Sequence, residues 1–230
     1  MALQKFVHKV SAELTQDAQF KTYGAIPGSQ LTPGTTVKLY PGTYSNVTVA
    51  NGITIEGIGG THDVTLPGIT VSSGTSGNVV VKNVTLTAAG NAFSTAVGTT
   101  ATVKLQDCHL PGTTHGVPFT TSQGNAICHE GSGAITLQDT YITGPWRSSL
   151  RTASSANIIG GILTATAAAD HAVWGGSAAK GTIRFVNASL RGAGKSNVTG
   201  GATVQADTNI GRGGGIAVPS ASWAGTTTLP

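Results

Sequence analysis

The sequence predicts an all-β fold, a right-handed parallel β-helix in which short strands stack turn upon turn. Short runs of alternating apolar and polar residues recur from Thr36 to about Leu190, and alternation of this kind is typical of strands. Gly, Asn or Asp separates the runs, and glycine accounts for 33 of the 230 residues, which is about twice its usual share of roughly 7%. The runs also follow a degenerate repeat whose length suits one turn of a solenoid.

The repeat has the form strand, polar bend, strand. Four copies fit this form, and a weaker one at 157–163 has glycine where the others have Asn or Asp; the four lie at 79–86, 101–110, 134–142 and 182–190. The bend positions, separated by 24, 32, 21 and 27 residues, are Asn83, Asp107, Asp139, Gly160 and Asn187. These residue types tolerate the left-handed backbone that a sharp bend requires. We therefore predict that the five residues form a stacked ladder of bends.

Two phrases near the start of the repeat also occur in a known superfamily. Pro41-Gly42-Thr43-Tyr44 is followed by Ile53-Thr54-Ile55-Glu56-Gly57. Together with the repeats, these phrases resemble the opening turns of the pectate-lyase-like superfamily of right-handed parallel β-helices. The resemblance spans roughly residues 36–190 and implies the fold. It leaves the function open, because the same fold serves lyases, hydrolases, phage tailspikes, adhesins and capsid decoration proteins.

The chain divides into three segments. Residues 1–36 are predicted to form an N-terminal arm or cap, either a short amphipathic helix or an extended arm, because apolar residues there fit both periodicities. Residues 37–190 form the β-helix. Residues 191–230 form a Gly-rich C-terminal arm. We expect both arms to dock on neighbouring subunits.

Charge and hydropathy patterns argue against several classes of partner. The formal net charge is +4, and no run of Lys or Arg is present, so we expect no nucleic-acid partner. No stretch of 18 apolar residues exists, so we expect no membrane span. Residues 1–14 lack the apolar region of a signal peptide, and we therefore expect synthesis in the cytoplasm.

Acidic residues are too scattered to suggest a catalytic centre. The sugar-cleaving β-helices that the chain resembles need clustered carboxylates, either as paired acids or as calcium ligands. This chain has nine acidic residues, and no two are adjacent or one residue apart. Asp107 and Asp139 would form a carboxylate pair if they stacked one turn apart, but both occupy predicted bends. We expect no catalytic residue, no metal and no cofactor, with a glycan lyase or hydrolase as the enzyme alternative.

The two cysteines form a visible pair of dipeptides, Cys108-His109 and Cys128-His129. Four soft ligands could bind zinc, but their spacing matches no common zinc finger. Adjacent strand residues also point to opposite faces. We interpret the cysteines as buried or incidental thiols, with a disulfide or a metal site as alternatives.

The most site-like loop is Pro145-Trp146-Arg147-Ser148-Ser149-Leu150-Arg151, which carries Trp146, Arg147 and Arg151. One turn later come Asp170, His171 and Trp174. An indole ring can stack on a sugar and a guanidinium can bind a carboxylate, so a carbohydrate groove is one interpretation. Trp and Arg are also enriched at subunit interfaces, and we favour an interface.

These observations lead to a functional hypothesis. We expect a non-catalytic virion protein, a cement or decoration protein on the capsid exterior of a tailed phage. Its expected partners are itself, as a homotrimer, and the major capsid protein. The alternative is a tailspike or adhesin β-helix that binds, and in some cases cleaves, surface polysaccharide. A free polysaccharide-degrading enzyme is a third hypothesis.

Overall fold

A computed structural model of the chain describes residues 4–7, 24–26, 31–88, 90–111, 124–144, 146–165, 171–174, 181–192, 196–197, 203–207 and 216–217. Across these residues the protein is all β and contains no helix. Accordingly, no membrane-spanning helix occurs in this part of the chain.

The described strands lie in three sheets, which we label A, B and C. Sheet A consists, in spatial order, of β1 (Gln4–Val7), β2 (Thr36–Leu39), β5 (Ile53–Gly57), β8 (Asn78–Lys82), β11 (Thr102–Gln106), β14 (Ile135–Gln138), β17 (Ala156–Ile159), β20 (Thr182–Val186) and β23 (Thr203–Asp207). Sheet B consists of β3 (Gly42–Thr43), β6 (Val64–Leu66), β9 (Thr85–Leu86), β12 (His109–Leu110), β15 (Tyr141–Ile142), β18 (Ile162–Ala165) and β21 (Ser189–Gly192). Sheet C consists of β4 (Val47–Val49), β7 (Ile69–Val71), β10 (Phe93–Thr95), β13 (Asn125–His129), β16 (Ser148–Thr152), β19 (His171–Trp174), β22 (Ser196–Asn197) and β24 (Ile216–Ala217).

The order of the strands makes the fold a parallel β-solenoid. The chain visits sheets A, B and C in turn, so every third strand from Thr36 to Asn197 lies in the same sheet. Neighbouring strands pair in parallel in all three sheets. The solenoid that the sequence repeat predicts is thereby confirmed.

Columns of aliphatic side chains fill the space between the sheets. Each sheet-A strand from β2 to β20 places one residue in a single register column, and every member is at most 1% exposed: Val37, Ile55, Val81, Leu105, Leu137, Ile158 and Phe185. Sheet C supplies a facing column of Val47, Ile69, Phe93, Ile127, Leu150 and Val173. Burying each such side chain contributes about 1.5–3 kcal/mol, so these columns dominate the stability of the stack.

The five bend residues lie where the chain passes from sheet A to sheet B. Each has left-handed backbone, with φ of 55° at Asn83, 51° at Asp107, 47° at Asp139, 64° at Gly160 and 50° at Asn187. The amides of the first four donate to the next turn's carbonyls, which belong in order to Gln106, Gln138, Ile159 and Val186. A column of backbone hydrogen bonds therefore continues the sheets through the bend.

Both predicted arms contribute strands to the stack. β1 lies within the N-terminal segment and pairs in parallel with β2, with Gln4 opposite Thr36. In the C-terminal segment, β23 extends sheet A and β24 extends sheet C. The question of an N-terminal helix is answered only for residues 4–7, which form a strand; residues 8–23 lie outside the described part.

Two glycines with positive φ differ in how closely the neighbouring turn approaches them. Comparing them distinguishes the cost of a collision between turns from the cost of left-handed backbone alone. Gly161 has a φ of 73°, and an added Cβ would collide with the backbone carbonyl of Thr140 in the preceding turn. Gly74 has a similar φ of 78°, but an added Cβ would meet nothing within 4 Å. Left-handed backbone costs a residue with Cβ about 1–2 kcal/mol.

We expect Gly161→Ala to lower the free energy of unfolding by at least about 3 kcal/mol, because strain and collision add. Gly74→Ala, as the matched control, should lower it by only about 1–2 kcal/mol. Chemical denaturation of both variants provides the measurement. An equal loss of unfolding free energy in the two variants would contradict the prediction, because it would show that the neighbouring turn accommodates the added methyl group without destabilisation.

Candidate functional site

Part of the segment that the sequence predicts as a site-like loop is strand β16, whose Arg151 lies on the outer face of sheet C. Cys128, Arg151 and Trp174 occupy one register row across β13, β16 and β19. The row faces outward because the preceding residue of each strand belongs to the core column of sheet C. Three consecutive turns thus bring these side chains together, although 46 positions separate the first from the last in the sequence.

Trp146 does not belong to this outer face. Its side chain is 1% exposed, and its indole Nε1 donates a hydrogen bond to the carbonyl of Leu110 at 3.3 Å. The prediction that Trp146 contacts a glycan or a neighbouring subunit is therefore wrong. The physical reason is that its large apolar ring belongs to the hydrophobic core, where burial removes it from water.

Two arginines flank the ring of Trp174. The guanidinium carbon of Arg151 lies 5.1 Å from the ring centroid, and that of Arg147 lies 5.5 Å from it. Arg151 also pairs with Glu130, with a separation of 3.1 Å between Nη2 and Oε1. Each cation–π contact at an exposed site contributes about 0.5–1 kcal/mol, and a half-exposed ion pair contributes up to about 1 kcal/mol. We call Glu130, Arg147, Arg151 and Trp174 the Arg–Trp cluster.

The cluster has the chemistry to contact an anion or a sugar. Arg147 is exposed, and a guanidinium can bind a carboxylate through two parallel hydrogen bonds. The ring of Trp174 already packs against two guanidiniums, so a sugar that stacks on it would displace one of them. Asp170 and the side chain of His171, which the sequence placed beside this segment, lie outside the described residues.

The carboxylates of Asp107 and Asp139 stand in adjacent turns at the outer corner between sheets A and B. Asp107 follows Gln106 and Asp139 follows Gln138, and these two glutamines are register partners. Asp107 accepts a hydrogen bond from Nε2 of its neighbour Gln106 at 3.2 Å. The two aspartates are therefore stacked, and left-handed backbone accounts for the residue type at both positions.

Both cysteines are buried free thiols, so the alternative of a disulfide is wrong. Cys108 lies beside β12 in sheet B, whereas Cys128 lies in β13 of sheet C. Burial raises the pKa of the Cys108 thiol to about 12 and also raises the pKa of Cys128. Within the described residues, no group of three or more His, Cys, Asp or Glu side chains is placed to hold a metal ion.

A buried polar network surrounds His129, and no pattern in the sequence predicted it. This side chain is fully buried at the corner between sheets C and A. Its Nδ1 lies 2.9 Å from the hydroxyl of Thr95, and its Nε2 lies 2.6 Å from the carbonyl of Gly133 and 3.0 Å from the hydroxyl of Ser154. Its inward position follows from period two, because it lies two residues after the core residue Ile127.

The partners of His129 define its protonation. A carbonyl can only accept, so Nε2 carries the proton and Nδ1 accepts from the hydroxyl of Thr95. That hydroxyl oxygen already accepts from the amides of Glu130 and Gly131 at 3.1 and 3.0 Å. A second proton on Nδ1 would find no acceptor. Burial lowers the pKa of His129 below 6.5, against an opposing contribution from the Gly133 carbonyl.

An exposed apolar surface, also missed from the sequence, lies at the corner between sheets A and B. Tyr141 is 45% exposed and Ile159 is 39% exposed. Tyr141 pairs in register with the half-buried Ile162, and Ile159 pairs with the half-buried Val186. The bend of Gly160 and Gly161 joins the two pairs. We call Tyr141, Ile159, Ile162 and Val186 the apolar corner.

Comparison with known proteins identifies no relative: no family model, curated protein or solved structure matches the chain.

The His129 network predicts a stability that depends on pH. The folded pKa lies below the value of 6.5 in the unfolded chain, so the unfolded state binds the proton more tightly. The free energy of unfolding should be fully present above pH 6.5 and should fall as the pH drops below it, by up to about 1.4 kcal/mol per pH unit.

Urea denaturation between pH 7.5 and 5.5 measures this fall. His109→Gln is the matched control, because burial also lowers the pKa of His109 but its side chain is only partly buried, whereas that of His129 is fully buried. The fall should persist in His109→Gln and flatten in His129→Gln, which should also be less stable at pH 7.5. If His109→Gln instead lost the pH dependence completely, the dependence would arise from His109, and its assignment to His129 would be wrong.

Proposed function

We propose that the chain is a structural protein that acts by packing against other protein subunits. The specific setting that we propose is one of several in which the β-helix fold occurs, a cement or decoration protein on the capsid of a tailed phage. The observation that supports packing is the apolar corner, where Tyr141 and Ile159 are exposed on a rigid surface. Contiguous exposed apolar side chains favour protein–protein contact.

The apolar corner has properties that suit an interface. Tyr is enriched at interfaces, because its ring supplies a large contact area with little loss of conformational entropy. Ile159 and Val186 are fixed by pairing between β17 and β20, so docking would order little additional chain. A preorganised surface of this kind loses less free energy to ordering when it binds.

Opposite charges on the outer face of sheet A and at the adjoining corner favour association between copies. From β8 to β20, the charged side chains on the outer face of sheet A are Lys82, Lys104 and Arg184. The corner itself carries the stacked carboxylates of Asp107 and Asp139. A basic face beside an acidic corner is self-complementary when the face of one copy meets the corner of the next, and a head-to-tail contact of this type forms a ring when the rotation between copies closes. A homotrimer is the ring that we propose.

We expect the purified chain to have a solution mass near three times 23.0 kDa by light scattering. The double variant Tyr141→Lys/Ile159→Lys should shift the mass toward one chain, because it places like charges at the contact. Val97→Lys is the matched control, since Val97 is 70% exposed and lies at another corner. The circular dichroism spectrum and the urea midpoint check that each variant is folded. A monomeric wild type would exclude the homotrimer.

A second candidate function is the binding of an acidic surface glycan, as in a tailspike or adhesin. The two guanidiniums within about 5–6 Å of the Trp174 ring favour this candidate. The exposed Arg147 would bind a uronate carboxylate, while Trp174 would support the sugar ring.

This candidate predicts that the chain binds oligogalacturonate in calorimetry. Arg147→Gln should weaken binding at least about tenfold through loss of a charged hydrogen-bonding pair. Arg184→Gln, an exposed arginine on sheet A, is the matched control and should leave the affinity unchanged. Equal affinities for all three proteins would exclude a role for the Arg–Trp cluster, and cleavage of the oligosaccharide would contradict the non-catalytic proposal.

A further inference from the structure

A short loop that precedes β6 is held in one conformation by side chains of the following turn. The amide Nδ2 of Asn83 donates to the carbonyls of Gly57 at 3.0 Å and Gly59 at 2.5 Å. Its Oδ1 accepts from the hydroxyl of Thr61 at 3.1 Å. The bend residue Asn83 therefore has a second role, because its side chain organises the loop formed by residues 58–63.

Further contacts close this loop. The hydroxyl of Thr85 donates to the carbonyl of Thr61 at 3.0 Å. Asp63 caps the loop from the other side, since its amide donates to the carbonyl of Gly60 at 3.0 Å and its carboxylate accepts from the Gly60 amide. Gly59 has a φ of 100°, and an added Cβ would collide with the Asp63 carboxylate. The conformation of the loop is therefore preorganised by contacts within the protein.

The loop places His62 directly against His109. The two ring centroids are 4.8 Å apart, and the ring planes are inclined at 87°. His109 projects from β12, and its Nε2 lies 3.1 Å from the hydroxyl of Thr143, which fixes the ring. Its Nδ1 is buried and has no hydrogen-bond partner among the described residues, although buried polar atoms are nearly always paired.

The spacing of the two rings matches the coordination of one metal ion. Imidazole nitrogens bind Zn²⁺ at about 2.0–2.1 Å, and two such ligands at tetrahedral or square angles hold their centroids roughly 4.5–5 Å apart. The exposed His62 ring packs edge to face against the His109 ring, so rotation of this one surface side chain would admit an ion between the rings. Imidazole suits zinc, nickel and copper rather than calcium or magnesium.

We propose that His62 and His109 form a two-histidine site for a divalent transition-metal ion of the Zn²⁺, Ni²⁺ or Cu²⁺ class, with water molecules completing the coordination. The ion would satisfy the unpaired Nδ1 of His109. It would also connect the loop formed by residues 58–63 to β12, two turns further along sheet B. Affinity should follow the general order for nitrogen ligands, with Cu²⁺ bound most tightly.

Titration of the full-length chain with Cu²⁺, Ni²⁺ and Zn²⁺ in a calorimeter tests the proposal. We expect one ion per chain and at least about a tenfold loss of affinity in both His62→Gln and His109→Gln, because each variant removes one of two protein ligands. The urea midpoint of the wild type should rise with metal concentration, since the ion binds the folded state. His115→Gln, at a histidine outside the described residues, is the control and should bind as the wild type does.

A measurement on the wild type removes any dependence on the folding of the variants. Addition of Zn²⁺ should shift the imidazole resonances of His62 and His109 in the nuclear magnetic resonance spectrum and leave those of His129 in place. Unchanged resonances for the first two histidines at a saturating Zn²⁺ concentration would overturn the proposal. The proposal would also be overturned if His62→Gln bound the metal ion as tightly as the wild type while His115→Gln lost its affinity for the ion.

Discussion

The structure depends on a single constraint, the parallel hydrogen bonding of each strand to its equivalent in the turns before and after. This pairing fixes the spacing of successive turns at about 4.8 Å. Identical positions of the repeat are then forced into columns, so a residue that faces inward in one turn lies against the inward residues of the turns on either side. The central inward columns of sheets A and C, which pass through Leu105 and Phe93, contain aliphatic and aromatic residues from end to end. The bends obey the same constraint. If one bend turned the chain through a different angle from the bends above and below it, the next strand would no longer pair with its neighbours in the following sheet.

The outer surface inherits its pattern from this stacking. Residues that are 20 to 30 positions apart in sequence become neighbours on a face, which is how Arg151 comes to lie beside Trp174 and how loop 58–63 places its histidine against β12. A surface of this kind is built in rows rather than in pockets. Binding through rows and corners suits extended partners such as another solenoid, and it is consistent with the packing role that we propose.

The sequence was sufficient for the repeating features and insufficient for the individual ones. The strand runs and the five Asn, Asp or Gly positions recur, and their backbone requirement is local, so the residue types reveal it directly. Trp146 was misjudged because it lies outside a regular strand, where no alternation indicates that it faces inward. Tyr141 and Ile159 occupy outward positions, but their exposure depends on which side chains the adjoining turns place beside them.

Contacts between loops were the hardest to predict. His62 and His109 are 47 residues apart, and their approach depends on three side-chain hydrogen bonds between Asn83 and residues 57–61. The His129 network likewise unites residues from β10, β13 and the start of the following turns. No periodicity encodes such contacts, because each involves a side chain that is specific to one turn.

The spacing between bends, which varies from 21 to 32 residues, has a consequence for how such a molecule changes length during evolution. The extra residues fall between the described strands, which keep the same order of sheets from turn to turn. The two ends of any complete turn lie in equivalent places, one strand spacing apart, so a whole turn can be duplicated or deleted and the remaining chain can rejoin without a new geometry. A solenoid of this type grows and shrinks in units of one turn, and its length is therefore a quantity that selection can adjust to the size of the surface that it covers.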